Sequence, residues 1–287
     1  MGLRFAKAYR EHDKLRKSFF RLARGTFGLD FAPWYQGGWW TDHYIPYSFI
    51  DGEEVVANVS VNRMELEHAG NRHYGIQVGT VMTRPECRGR GLCRRLLERV
   101  LEEWQDHCDI LYLLANDSVL DLYPKFGFQP AEEPLHSGPL HRTPGPLRPL
   151  DLGEEGDRKL LLDCYQASNP SSALAAVGDP GLLMFYCGGA LREHLYYAGD
   201  ARTVIVAERA GDTLLCHDLL GEGAALELAG RLARPGIARV TWGFTPKDPA
   251  GMQLEQLQEE DTTLFLLEGT GAWFRRGDLR LPALSRT

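Results

Sequence analysis

The chain has 287 residues, 44% of them hydrophobic and 25% charged, the composition of a globular protein long enough to bury two cores of middling size. Its net charge of −7 is uneven: residues 1–150 carry 19 Lys/Arg against 19 Asp/Glu, residues 151–287 carry 13 against 20, so the acidic excess lies entirely in the second half. That balance repels nucleic acid, no apolar run approaches the roughly 20 residues needed to cross a bilayer, and the first residues lack a signal-peptide core, so neither polynucleotide nor membrane is an expected partner and the expected compartment is the cytoplasm.

In chain order, residues 3–6 suit a short strand and residues 11–24 a helix with Leu15, Phe19 and Leu22 on one side. Trp34, Tyr35, Trp39 and Trp40 then place four rings in seven residues, broken by Gly37-Gly38, which suits a loop or a broken helix. Rings with a polar edge are common pocket walls, so these four are candidate substrate contacts; core filling beside the first helix is the competing reading. Residues 44–50 and 55–62 form a hairpin around Asp51-Gly52-Glu53-Glu54, residues 64–67 extend its second strand, and Ala69-Gly70-Asn71-Arg72 turns the chain into a third.

That third strand, Tyr74 to Thr83, alternates apolar residues and ends at Arg84-Pro85. Arg88-Gly89-Arg90-Gly91-Leu92-Cys93 follows, then a helix whose stripe is Cys93, Leu96, Leu97, Val100, Leu101 and Trp104. A helix starting in such a turn presents unpaired amides and its positive dipole end, where a phosphate fits; the glycines permit close approach, and Arg88 and Arg90 add charge. A solvated basic turn is the plainer alternative. Residues 109–115 read as a strand buried on both faces, lying beside the third. Asn116-Asp117-Ser118 offers N-cap chemistry for a short helix running into Leu122-Tyr123-Pro124-Lys125-Phe126-Gly127-Phe128.

A strand, then Arg88-x-x-Gly91-x-Cys93, then an amphipathic helix resembles the pyrophosphate motif of the GNAT superfamily of acetyl-CoA-dependent N-acyltransferases, with Cys93 where Gly or Ala is usual. Leu122-Tyr123-x-x-Phe126-Gly127-Phe128 is similar to the second signature of that family. The resemblance implies an α/β (α+β) fold with a mixed central sheet flanked by helices. It also implies acetyl-CoA as cofactor, leaving as CoA. By the same resemblance, Val81, Met82 and Thr83 hold the pantetheine arm, Arg88, Gly89, Arg90, Gly91, Leu92 and Cys93 hold the diphosphate, and Asn116 touches the arm or caps its helix. Tyr123 would protonate the leaving sulfur, and the N–H of Met82 or Thr83 would serve the oxyanion. The family often has a Glu on the central strand; here stand Gln77, Gly79 and Thr80, so the base is open among Glu65, Asp42, His73 and water.

Residues 135–149 hold Pro139, Pro144, Pro146 and Pro149 and read as an extended linker between a catalytic unit at 1–134 and a second unit at 150–287. Beyond it come a helix at 158–167, strands at 201–208 and 213–219, a helix at 224–233, and strands at 238–244 and 264–267. Strand, Gly221-Glu222-Gly223, helix and strand repeat the earlier order, which suggests two GNAT-like domains in tandem, the second degenerate because an acid replaces Arg in its turn. That unit would cover the acceptor cleft or pair two copies of the chain as a homodimer; an unrelated α/β domain is the alternative. Six cysteines without C-x-x-C spacing and nine histidines without a His-x-x-x-His pair indicate no metal site. The resulting expectation is an N-acetyltransferase acting by direct attack on the primary amine of a small-molecule acceptor, such as an aminoglycoside-like, polyamine-like or amino-acid-like amine. A protein or peptide N-acetyltransferase, or an acyl-CoA-binding sensor without turnover, are the alternatives.

Overall fold

A computed structural model describes residues 2–286. β1 (Arg4–Lys7) leads into α1 (Asp13–Phe27) and the short α2 (Ala32–Gln36), followed by a meander of β2 (Tyr44–Asp51), β3 (Glu54–His68) and β4 (Asn71–Thr83). α1 begins where His12 accepts the Leu15 amide and Asp13 occupies the first turn, and it stops at Gly28, which turns left-handed at φ 72°. After β4 come α3 (Leu92–Trp104), β5 (Ile110–Ala115) and β6 (Phe128–Pro130). α3 buries Leu92, Leu96, Leu97, Val100 and Leu101 against the sheet, each side chain stabilising by about 1.5–3 kcal/mol. Where the sequence suggested a short helix after Asn116, there are two 3-10 turns, Asp117–Val119 and Tyr123–Phe126; Pro124 leaves too short a run for an α-helix to propagate.

The chain continues through β7 (Pro134–Pro139), β8 (Arg148–Pro149), α4 (Glu155–Gln166), β9 (Leu174–Val177), α5 (Pro180–Cys187) and β10 (Leu195–Ala198). Then follow β11 (Thr203–Ala210), β12 (Thr213–Leu220), α6 (Ala225–Arg231), β13 (Arg239–Trp242), β14 (Gln253–Gln256) and β15 (Thr263–Leu267). Two mixed sheets flanked by helices result. One runs β1-β2-β3-β4-β5-β15-β6, with β9 paired to the end of β3; the other runs β14-β7-β13-β12-β11-β10-β8. β4 and β5 pair in parallel across α3, and β12 and β13 in parallel across α6.

Two segments depart from the sequence reading. Residues 134–139, assigned mostly to the linker, form β7 between β13 and β14, with Ser137 opposite both Thr241 and Gln253. Its prolines stand at the strand ends, where a missing N–H is tolerated. β15, from the second half, lies in the first sheet between β5 and β6. It covers an otherwise open apolar edge: Leu264 and Leu266 pack with Tyr112 on one face, Phe265 and Leu267 with Tyr123 and Phe128 on the other. The division in sequence is therefore not the division between sheets. Among the described residues no helix is long and apolar enough to cross a membrane. All six cysteines are free thiols, with Cys87, Cys164, Cys187 and Cys216 buried.

Candidate active site

β4 and β5 pair only from Gly75 and Ile110 to Val78 and Leu113, although β4 runs to Thr83 and β5 to Ala115. A bulge on the β3 side accompanies the splay. Asn58 faces Met82 while Ser60 faces Gly79, and Thr80 takes φ 48°, a left-handed conformation strained for a β-branched residue. Buried polar groups hold it there. Asn58 Nδ2 donates to the Thr80 carbonyl and to Ser60 Oγ, both at 2.9 Å, and the Tyr44 and Thr80 hydroxyls share a hydrogen bond. The Arg84 amide donates to the Val56 carbonyl at 2.9 Å, so ladder alternation turns the Met82 N–H toward β3 and the Thr83 N–H toward the gap. Of the two amides considered for the oxyanion, Thr83 has the favourable direction.

Beyond β4, Gly89 and Gly91 are left-handed at φ 71° and 68°, and a Cβ on either would meet nothing within 4 Å. Backbone conformation rather than crowding calls for glycine here, and the surface before the turn is open. Gly91 caps α3 without a side-chain hydrogen bond, and the first turn holds no acid, so its amides and dipole face outward unneutralised. Arg88 Nε reaches back to the Thr83 carbonyl at 3.3 Å, linking the turn to the splayed strand. The Leu92 side chain is in the core, leaving only its backbone for a ligand.

A cavity of about 620 Å³ opens into this gap and is lined by Val81, Met82, Thr83, Arg88, Cys93, Asn116 and Tyr123. Gly89, Arg90, Gly91 and Leu92 belong to the adjoining turn and do not line it. The Asn116 side chain makes no cap bond. Tyr123 is buried among Phe128 and Phe265, and loss of water raises its phenol above the ordinary value, keeping it protonated at neutral pH. Burial likewise pushes the Cys93 thiol up to about 11, so it is neutral and a poor nucleophile.

Of the four candidate rings, Trp34 lines the cavity and Tyr35, Trp39 and Trp40 do not. Trp40 stacks on Trp34 at 5.8 Å and donates to the Tyr44 carbonyl at 2.9 Å, Tyr35 lies under the Arg16 guanidinium at 3.9 Å, and Trp39 packs between two core clusters. Core filling accounts for those three. Phe27, Phe31 and Tyr44 complete the wall, and the second half supplies Leu182, Phe185, Asp261, Thr262 and Arg286. Sequence reasoning missed α5, although Asp179-Pro180 is a helix-start signal: Asp179 Oδ1 accepts the Gly181 and Leu182 amides at 2.9 and 3.1 Å. The three candidate bases lie elsewhere. Glu65 pairs with Arg72 at 3.0 Å, Asp42 with Arg10 at 3.1 Å, and His73 stacks on Trp273 at 4.1 Å. Among the described residues no cluster of three or more His, Cys, Asp or Glu could hold a metal.

The site is thus a wedge between two parallel strands that ends at a basic glycine turn and holds a protonated tyrosine. Residues 16–131 match the acetyltransferase (GNAT) domain family, and this part of the chain is a GNAT acetyltransferase domain, which makes the protein an acyltransferase. No curated protein matches the sequence. The fold is shared with a conserved Enterococcus faecalis V583 protein of unknown function (16% identity, 93% of this chain and 72% of that one, TM-score 0.64). It is shared also with a GCN5-related N-acetyltransferase from Kribbella flavida (19%, 92% and 70%, TM-score 0.58) and with Eis1 from Mycobacterium abscessus (17%, 92% and 72%, TM-score 0.57).

Proposed function

We propose that this acyltransferase moves an acetyl group from acetyl-CoA to the primary amine of a small molecule, the two meeting in the cavity between β4 and β5. One observation carries the reading: Thr83, Arg88, Cys93, Asn116 and Tyr123, drawn from four segments of the chain, line one cavity beside an open, uncapped helix start. The diphosphate of acetyl-CoA suits the amides of residues 88–93, and its thioester would then lie in the gap, toward Tyr123.

In the reaction the neutral amine nitrogen attacks the thioester carbonyl carbon. The oxyanion takes a hydrogen bond from the Thr83 amide, and as it collapses the C–S bond breaks. The sulfur takes the Tyr123 proton while the amine nitrogen loses one to water, from which the phenolate is recharged. Because burial makes Tyr123 a weak acid, its proton moves as charge develops on sulfur rather than beforehand. The aromatic wall favours a small acceptor over a polypeptide, and the β12–α6–β13 crossover supports reading the second half as a GNAT-like unit that no longer takes CoA. Thiol release from acetyl-CoA across a panel of amines tests the proposal: binding of CoA with release for no amine would replace it with the sensor reading.

A further inference from the structure

Resting on that N-acetyltransferase reading, we infer that the acceptor is an arylalkyl amine, one primary amine on an aromatic, otherwise uncharged body. The wall built by α1, α2 and α5 is apolar: Phe27, Leu29, Phe31, Trp34, Leu182 and Phe185 all line the cavity, and Phe27 and Leu29 are partly exposed there. The Phe185 ring stands 5.5 Å from Phe31, tilted, and 5.7 Å from Trp34, edge to face, so a ligand ring finds partners of the same kind.

This wall is preformed. Trp34 Nε1 donates to the Gly181 carbonyl at 2.7 Å, and the backbones approach so closely that a Cβ on Gly181 would lie 2.4 Å from the Trp39 carbonyl oxygen. Asp179 caps α5 through one oxygen while the other lies 3.7 Å from His43 Nδ1. The helix carrying Leu182 and Phe185 is thereby fixed against the aromatic segment from both ends of its first turn.

The charges disfavour a polycation. Among the described residues lining the cavity Asp261 is the one carboxylate, against Arg88 and Arg286, and Arg286 is already bound to Glu133 and Glu259. Glu132, Glu259 and Glu260 line a neighbouring groove instead. The extra ammonium groups of a polyamine or aminosugar would lose water with Asp261 as the one counter-charge in the cavity, whereas an aryl body exchanges water for rings.

The test compares kcat/KM for 2-phenylethylamine, ethylamine and spermidine at saturating acetyl-CoA, in the wild-type chain and in Phe185→Ala and Phe185→Leu. The expected result is a preference of about tenfold or more for 2-phenylethylamine, lost through KM in Phe185→Ala and partly kept in Phe185→Leu, with acetyl-CoA KM within about twofold of wild type as proof of folding. Spermidine or ethylamine equalling 2-phenylethylamine overturns the inference and leaves acetyl transfer standing. Release of thiol with no amine overturns acetyl transfer instead. Calorimetric titration of 2-phenylethylamine into the CoA-saturated protein then decides the inference: binding abolished by Phe185→Ala sustains it, and absence of binding sinks it.

Discussion

The two crossovers, β4–α3–β5 and β12–α6–β13, begin alike and are finished differently. In each the parallel contact spans four pairs, Gly75–Val78 with Ile110–Leu113 and Thr213–Cys216 with Arg239–Trp242. Each central strand is also bulged just beyond, β4 opposite Asn58/Ser60 of β3 and β12 opposite Val206/Ala207 of β11. The first wedge is a cavity. The second is occupied by the chain itself: Gly243 donates its amide to the Cys216 carbonyl, Ala283 donates to the Gly243 carbonyl, both at 2.7 Å, and Asn169 Nδ2 donates to Asp218 at 2.6 Å. The turns diverge in the same sense. Gly89 and Gly91 face open space, whereas a Cβ on Gly221 would lie 2.4 Å from the Arg202 carbonyl oxygen and one on Gly223 2.3 Å from Leu228. The Gly223 amide is also taken by Thr203 Oγ1 at 3.0 Å. Glycine thus leaves open space before one turn and serves internal packing in the other, and the fold alone does not make the site.

Four measurements would break or sharpen this contrast. Tyr123→Phe should lower kcat by about 10²–10⁴-fold with acetyl-CoA KM unchanged, and full turnover in that variant would remove Tyr123 from the chemistry. In the second wedge Asp218 stands two residues past the last parallel pair, the place Thr80 holds in the first. Burial pushes Asp218 up to about 6, against the bonds from Asn169 and the Leu219 amide that favour its charged form. A folded pKa above the unfolded value means the folded chain binds the proton more tightly. Stability should therefore fall by roughly 3 kcal/mol as pH rises from about 4 to about 6, and level off above. Urea midpoints across that window should flatten in Asp218→Asn; an unchanged slope would show that Asp218 does not titrate there.

Gly221→Ala should destabilise the fold by about 2 kcal/mol, read as a lower melting temperature, with acetyl-CoA KM unaltered. A raised KM would mean the second turn still communicates with the cofactor. Smallest, Arg88→Ala should raise acetyl-CoA KM about tenfold, near 1.4 kcal/mol, and reduce its dependence on salt, while Glu222→Arg should bring no new binding. Equal effects at both positions would erase the distinction between the turns.

Much of the first half was legible because local chemistry agrees with tertiary structure there. The stripe of α3 and the glycine turn each state in sequence what they do in space, whereas β4, read as half-buried from its alternation, is buried on both faces from Gly75 to Val78. The ring cluster was half legible: its residue types announce burial, but only packing decides that Trp34 faces the cavity while Trp40 turns its N–H to Tyr44. β7 and β15 were misplaced because strand partners are chosen by open sheet edges, which no local window records. α5 carried its own signal at Asp179-Pro180, yet nothing near it in sequence says that Phe185 meets Phe31.

The placement of β15 between β5 and β6, and of β7 between β13 and β14, has a mechanical consequence. Each sheet borrows a slat from across the midline, so neither can be pulled away intact while the other stays closed. Severing the backbone between residues 140 and 147 would yield not two smaller proteins but two frames with a missing rung, each offering bare strand edges to any neighbour that would pair with them.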